Sequence, residues 1–272
     1  MKKLNFLLGL AFLLATSVSC TKQIEKQVVE NYQQQLLIAT MFHQHSAEMR
    51  ALTYQAYNLA EYQLNEAVKN TDNPQKLAIV LDLDETVLDN SPHTGQSIID
   101  KFSYPTGWNE WCNLGEATAL PGSVYFLNRA VNAGVQVFYI SNREDQHREA
   151  TKQNFVKLGI PLQSEEHLLL KTNTSGKEDR RSKVSENYEI FLLIGDNLSD
   201  FSALYDKKSV ERREAVTDSL KQEFGSRYII LPNAMYGDWL SALYNHDFTK
   251  TEADKSEIYN SLIKGFDFPK NE

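Results

Sequence analysis

Three short polar strings hold the residues best suited to chemistry: Asp82-Leu83-Asp84-Glu85-Thr86, Ser141-Asn142-Arg143 and Gly195-Asp196-Asn197-Leu198-Ser199-Asp200. Asp82 and Asp84 are two apart, so on an extended chain they start on opposite sides, and they can face a common point only where the strand breaks into a loop. Two carboxylates that meet repel unless a cation sits with them or one holds a proton. Asp196 offers a third carboxylate. Hard oxygen donors without imidazole or thiolate suit Mg²⁺. One Asp-x-Asp alone is also ordinary turn composition. Here each string follows an apolar run, in order along the chain.

Those runs are the elements that must position the strings. Leu77–Leu81, Val135–Ile140, Ile190–Ile194 and Tyr228–Leu231 are continuous and apolar, as strands buried on both faces are. Leu168–Leu170 is a shorter fifth. Helical patterns lie between them, over about 124–132 before Gly134 and 145–158 before Gly159 and Pro161. Alternating strands and helices predict an α/β fold with a doubly wound parallel sheet, whose ligands gather beyond the carboxyl ends of the strands. Residues 22–69 contain no proline or glycine, and their apolar spacing predicts one or two long amphipathic helices, assigned to an N-terminal extension over 20–74. His43 and His45 fall there on different helix faces, a poor metal pair, and read as solvated or interface residues. Residues 91–121, with Phe102, Tyr104, Trp108 and Trp111, read as a small cap insertion within a core of 75–272.

The chain has 272 residues and a formal net charge of −8, an acidic balance that disfavours a nucleic-acid polymer as partner but leaves room for a small phosphorylated one. The two cysteines, Cys20 and Cys112, imply neither a disulfide framework nor a zinc site. Residues 1–19 have a basic start, an apolar stretch and small residues, the pattern of a secretory signal. Cys20 directly after them resembles the lipobox of bacterial lipoproteins. This implies an exported chain with a lipid on Cys20 and attachment to a bacterial membrane, the outer one favoured, facing the periplasm or the surface.

The strand-end strings together resemble the haloacid dehalogenase superfamily. The longer stretches 79–90, 195–201 and 231–239 resemble the bacterial class C acid phosphatases, of the lipoprotein e type, over about residues 75–245. The resemblance implies a haloacid dehalogenase-like Rossmannoid core and a Mg²⁺-dependent acid phosphatase acting on small-molecule phosphomonoesters: nucleoside monophosphates, nicotinamide mononucleotide and aryl phosphates. It implies Asp82 as nucleophile and Asp84 as general acid and base. Mg²⁺ would be held by Asp82, the main-chain carbonyl of Asp84, and Asp196. Ser141 and the Asn142 amide would donate to the phosphoryl group, and Asp200 would hold metal-bound water or the phosphate-binding lysine. Lys171, Lys177 and Lys183 all lie in the right interval, and family spacing favours Lys177. Trp108 and Tyr236 are the choices for stacking on a base or phenyl ring. Thr86 and Asn90 would shape the loop, and Arg143 would bind substrate or close a salt bridge. The helical extension and family precedent suggest a homodimer. Competing readings are a phosphoprotein phosphatase of the same superfamily, a non-catalytic relative such as the plant vegetative storage proteins, and a non-catalytic phosphate- or nucleotide-binding lipoprotein.

Overall fold

A computed structural model describes residues 35–266, so the signal segment and Cys20 lie outside the described residues. Among the described residues there are seven strands: β1 Leu77–Leu81, β2 Leu88–Asp89, β3 Thr118–Ala119, β4 Gln136–Glu144, β5 Leu168–Lys171, β6 Glu189–Gly195 and β7 Tyr228–Ile230. Five of them form one sheet in the order β5-β4-β1-β6-β7, with every pairing parallel. β2 and β3 form a separate antiparallel pair.

Alternation along the strands sorts side chains to two faces. Ile79, Leu81, Val137, Tyr139, Leu192 and Ile194 share one buried cluster, while Ala78, Val80, Phe138, Ile140 and Leu193 share another. Two long helices lead into the sheet, α1 Leu37–His45 and α2 Ala47–Lys69. Ser46 ends the first and caps the second, its hydroxyl accepting from Met49 N at 3.0 Å. The next pair, α3 Ser91–Asp100 and α4 Trp108–Leu114, lies in the predicted cap. Then come α5 Ser123–Asn132, α6 Arg148–Leu158, α7 Glu178–Ser185 and α8 Val210–Ser219.

The first face is covered by α2, α5 and α6, through Ala56, Tyr57, Ala60, Leu64, Phe126, Leu127 and Phe155. Residues 37–69 are therefore almost wholly helical, and the longer helix is built into the main core. The second face is covered by Val184 of α7 together with Phe201 and Tyr228, whose rings stack at 4.9 Å. The doubly wound arrangement predicted from the strand-helix alternation is present. Among the described residues, no helix is long and apolar enough to cross a membrane.

Two predicted elements are corrected. The strand expected over 135–140 continues to Glu144, because Glu144 pairs with Lys171 of β5, so Ser141, Asn142 and Arg143 lie in the strand rather than after it. His43, expected to be solvated or at an interface, is buried at 8% exposure beside Asp89.

Candidate active site

Register brings the three polar strings together. Leu81 is level with Tyr139 of β4 on one side and Ile194 of β6 on the other. The next residues on each strand, Asp82, Ile140 and Gly195, therefore reach the carboxyl rim together, and Ser141 and Asp196 follow one step further. The amide of Asp82 still donates to Ile194 O at 3.0 Å, which fixes its backbone while its side chain leaves the sheet.

Carboxylate oxygens of Asp82, Asp196 and Asp200 all lie within 4.8 Å of one another. The Lys177 ammonium, 6% exposed, donates to Asp82 and lies 2.6 Å from Asp200 Oδ1. Of the other two lysines considered, Lys171 pairs with Glu144 at 3.4 Å and Lys183 is exposed on α7. Lys177 alone of the three enters the cluster. The second oxygen of Asp200 accepts from Asn197 N at 3.0 Å, so this carboxylate is engaged on both sides. Asp196 Oδ2 accepts from Asn233 Nδ2 at 2.8 Å, and Thr86 Oγ1 approaches Asp196 Oδ1 at 3.5 Å.

Gly195 explains the small residue before Asp196: a Cβ there would fall 2.6 Å from Asp200 Cβ. The strand can lie this close to the Asp200 turn only without a side chain.

Burial pushes the Asp82 carboxyl up, Lys177 draws it back, and Asp200 and Asp84 push it up again, for a net rise. Asp196 is held well above the usual carboxylate range by burial and by the charges of Asp200 and Asp82, against the pull of Asn233 and Lys177. Burial works against the Lys177 ammonium, but Asp200 and Asp82 outweigh it and raise its pKa. When ionised, three carboxylates face one ammonium, a formal surplus of two negative charges in a largely buried site. A hard divalent cation fits that surplus and that all-oxygen donor set.

Asp84 belongs to a neighbouring network. Its Oδ1 accepts from Arg143 Nε at 2.9 Å, from Arg143 NH2 at 2.8 Å and from Asn90 Nδ2 at 2.9 Å, while its Oδ2 lies 3.3 Å from Ser141 Oγ. Arg143 also donates to Asn90 Oδ1 at 3.0 Å and Thr151 Oγ1 at 3.2 Å. The fully buried Arg143 guanidinium thus closes a salt bridge to Asp84 and holds that carboxylate in place. Trp111 Nε1 donates to the same Asn90 oxygen at 2.7 Å and packs on the core, which makes this aromatic structural. The Trp108 ring lies 6.0 Å from the Arg143 guanidinium and edge-on to His93 at 5.2 Å, so it borders the Asp84 network. Tyr236 follows Asn233, whose Oδ1 accepts from its amide at 3.4 Å; its hydroxyl is buried.

Two positioning residues escaped the sequence reading. Arg180 grips the rim through Ser141 O at 2.6 Å, Asn142 Oδ1 at 2.7 Å and Gly176 O at 3.2 Å. Its place in the polar stretch 177–183 gave no sign beyond a solvated charge. Tyr57 of α2 donates to Thr86 O at 2.7 Å, bracing the loop after Asp84. Only its helical spacing was visible in the sequence, and that marks a core position. Cys112 is a free, buried thiol, pushed up to about 12 mainly by burial.

The sequence matches the family described as "HAD superfamily, subfamily IIIB (Acid phosphatase)" over residues 12–239. The chain belongs to this family. It is 47% identical to the class C acid phosphatase from Bacillus anthracis, with a TM-score of 0.82, and the match covers 87% of this chain and 100% of that one. A second structure of that enzyme, with tungstate bound, superposes with a TM-score of 0.81 at the same 47% identity, over 86% of this chain and 99% of that one. Acid phosphatase 1 of Solanum lycopersicum is 27% identical over 58% of this chain and 57% of its own length. The stem 28 kDa glycoprotein of Glycine max is 29% identical over 58% of this chain and 62% of its own length. The chain thus spans little more than half the length of these curated relatives.

Proposed function

We propose that this acid phosphatase family member is a Mg²⁺-dependent phosphomonoesterase that works through a phosphorylated Asp82. The observation that carries the reading is the buried cluster of Asp82, Asp196 and Asp200 with Lys177 bound to the first and last. Lys177 and the strand-end donors Ser141 and Asn142 would bind the transferring phosphoryl group, and an Asp82 oxygen attacks phosphorus. The ester P–O bond breaks, and the leaving oxygen takes a proton from Asp84. Oδ1 of Asp84 is occupied by Arg143 and Asn90, which leaves Oδ2, 3.3 Å from Ser141 Oγ, to carry that proton. Water then attacks the phosphorus of the acyl phosphate, returns a proton to Asp84 and releases phosphate and the Asp82 carboxylate. Mg²⁺ held by Asp82, Asp196 and the main-chain carbonyl of Asp84 would neutralise charge on the phosphoryl oxygens. Asp200 keeps Lys177 in place.

Tungstate is a phosphate-like oxyanion, and its presence in the Bacillus anthracis enzyme supports a phosphoryl site in this fold. Trp108 and Tyr236 fit stacking on an aryl or base ring, so nucleoside monophosphates, nicotinamide mononucleotide and aryl phosphates are the proposed substrates. The lipid on Cys20, attachment to the outer membrane and a homodimer belong to the same reading.

An aryl-phosphate assay on wild type and Asp82→Asn, with and without EDTA, tests it. Turnover should fall by at least about 10³-fold in the variant and should be lost with EDTA and restored by Mg²⁺. Equal rates in the two proteins would reject the mechanism. A preference for phosphopeptides over nucleotides would favour a phosphoprotein phosphatase, and binding without turnover a non-catalytic phosphate carrier.

A further inference from the structure

His43, Glu85 and Asp89 meet at a second cluster that the proposed phosphatase chemistry does not use. They present one imidazole nitrogen and two carboxylate oxygens, all within 4.8 Å of one another. The three come from separate parts of the chain: His43 from the last turn of α1, Glu85 from the loop after Asp84, and Asp89 from β2. α1 packs on α3, which begins just after Asp89.

The polar atoms here are incompletely matched. Glu85 is fully buried and sits at φ 56°, a left-handed conformation that side chains rarely adopt. Its Oε1 accepts from Asn90 N at 2.7 Å, but Oε2 is buried without a hydrogen-bond partner. Asp89 Oδ1 accepts from Ser91 N at 2.8 Å. His43 Nε2 lies 3.3 Å from that oxygen, yet it too is buried without a hydrogen bond of proper geometry. Ser91 Oγ is a third buried atom with no well-formed hydrogen bond, though it lies close enough to Asp89 to favour that carboxylate's charge. Native interiors rarely leave such groups unpaired, and several in one place need a common explanation.

We propose that His43, Glu85 and Asp89 bind a second divalent ion of the Zn²⁺ class, which fastens the N-terminal helix to the loop that carries the catalytic carboxylates. One imidazole with two carboxylates is a donor set for Zn²⁺ rather than Mg²⁺. With ligand bonds of about 2.0–2.2 Å, a tetrahedral ion sets its donor atoms about 3.3–3.6 Å apart, and the His43–Asp89 separation of 3.3 Å agrees. The site shares no residue with the Asp82, Asp196 and Asp200 cluster, and its existence does not depend on the phosphatase reading. The alternative is a His43–Asp89 ion pair beside a Glu85 that holds its own proton, which would take up no metal.

Equilibrium dialysis of the full chain against Zn²⁺ in excess Mg²⁺, followed by elemental analysis, separates the two. Wild type should retain one Zn²⁺ per chain and melt at a higher temperature with it. His43→Gln should bind Zn²⁺ more than about 100-fold more weakly and lose the thermal shift, while turning over aryl phosphate in Mg²⁺ at the wild-type rate. Equal Zn²⁺ retention by both proteins, or none by either, would overturn the site. Should His43→Gln fail to fold, X-ray absorption of Zn²⁺ on wild type decides: one imidazole among oxygens supports the proposal, and an all-oxygen shell ends it.

Discussion

Lys177 is a single cation shared by two aspartates, and removing it should act in opposite directions on chemistry and on metal affinity. In Lys177→Met the phosphoryl group loses a fixed positive charge, so kcat should fall by about 10²–10³-fold. No ammonium then shares the carboxylates with the metal, so at a pH where they are ionised half-saturation with Mg²⁺ should move to lower concentration; a Mg²⁺ titration of activity reads both. Proton linkage gives a second expectation. Asp82 and Asp196 have pKa values raised in the folded state, so the metal-free fold binds more protons than the unfolded chain, and the stability this adds is present at acid pH and lost as pH rises. For Asp82 the window runs from its ordinary value of 3.8 to about 7. Metal-free protein should therefore melt at a lower temperature near pH 7 than near pH 5. Mg²⁺, which competes with those protons, should raise the melting temperature more at pH 7. A Mg²⁺-induced shift larger at pH 5 would contradict the assignment of these carboxylates to the metal.

The strand ends and the loops between them carry the site, and here sequence and structure divide in an instructive way. Asp82 and Asp196 were legible because each follows a run of buried strand residues, and parallel register carries such termini to one rim; Ser141 was legible by the same apolar run, although its strand goes on to Glu144. Lys177 was legible only as one of three lysines, since its own segment has no apolar period. Arg180, Tyr57 and the partners of His43 were not legible: their contacts join segments far apart in the chain, and no local pattern encodes a hydrogen bond between distant loops. Two substitutions test the elements. Gly195→Ala would press a Cβ onto Asp200; it should cost about 1–3 kcal/mol by overpacking, read by urea denaturation, and lower activity because Asp200 holds Lys177. Tyr57→Phe leaves the buried Thr86 carbonyl without its donor and should cost about 1–3 kcal/mol, with a smaller effect on turnover than Lys177→Met.

At the scale of the whole molecule, a lipid on Cys20 would set where the enzyme works. Cys20→Ser should move the protein from the membrane fraction to the soluble exported fraction with catalytic constants unchanged; retention in the membrane would exclude the anchor. The fold brings acidic residues distant in sequence around one buried lysine, and on the proposed reading a divalent ion and the nucleophile belong to that cluster. The most direct measurement is an acid quench of a single turnover with a phosphomonoester, followed by mass spectrometry of the digested chain. A phosphoryl adduct on the peptide containing Asp82, dependent on Mg²⁺ and missing from Asp82→Asn, is the expected result. An adduct on any other residue, or wild-type turnover by Asp82→Asn, would contradict it.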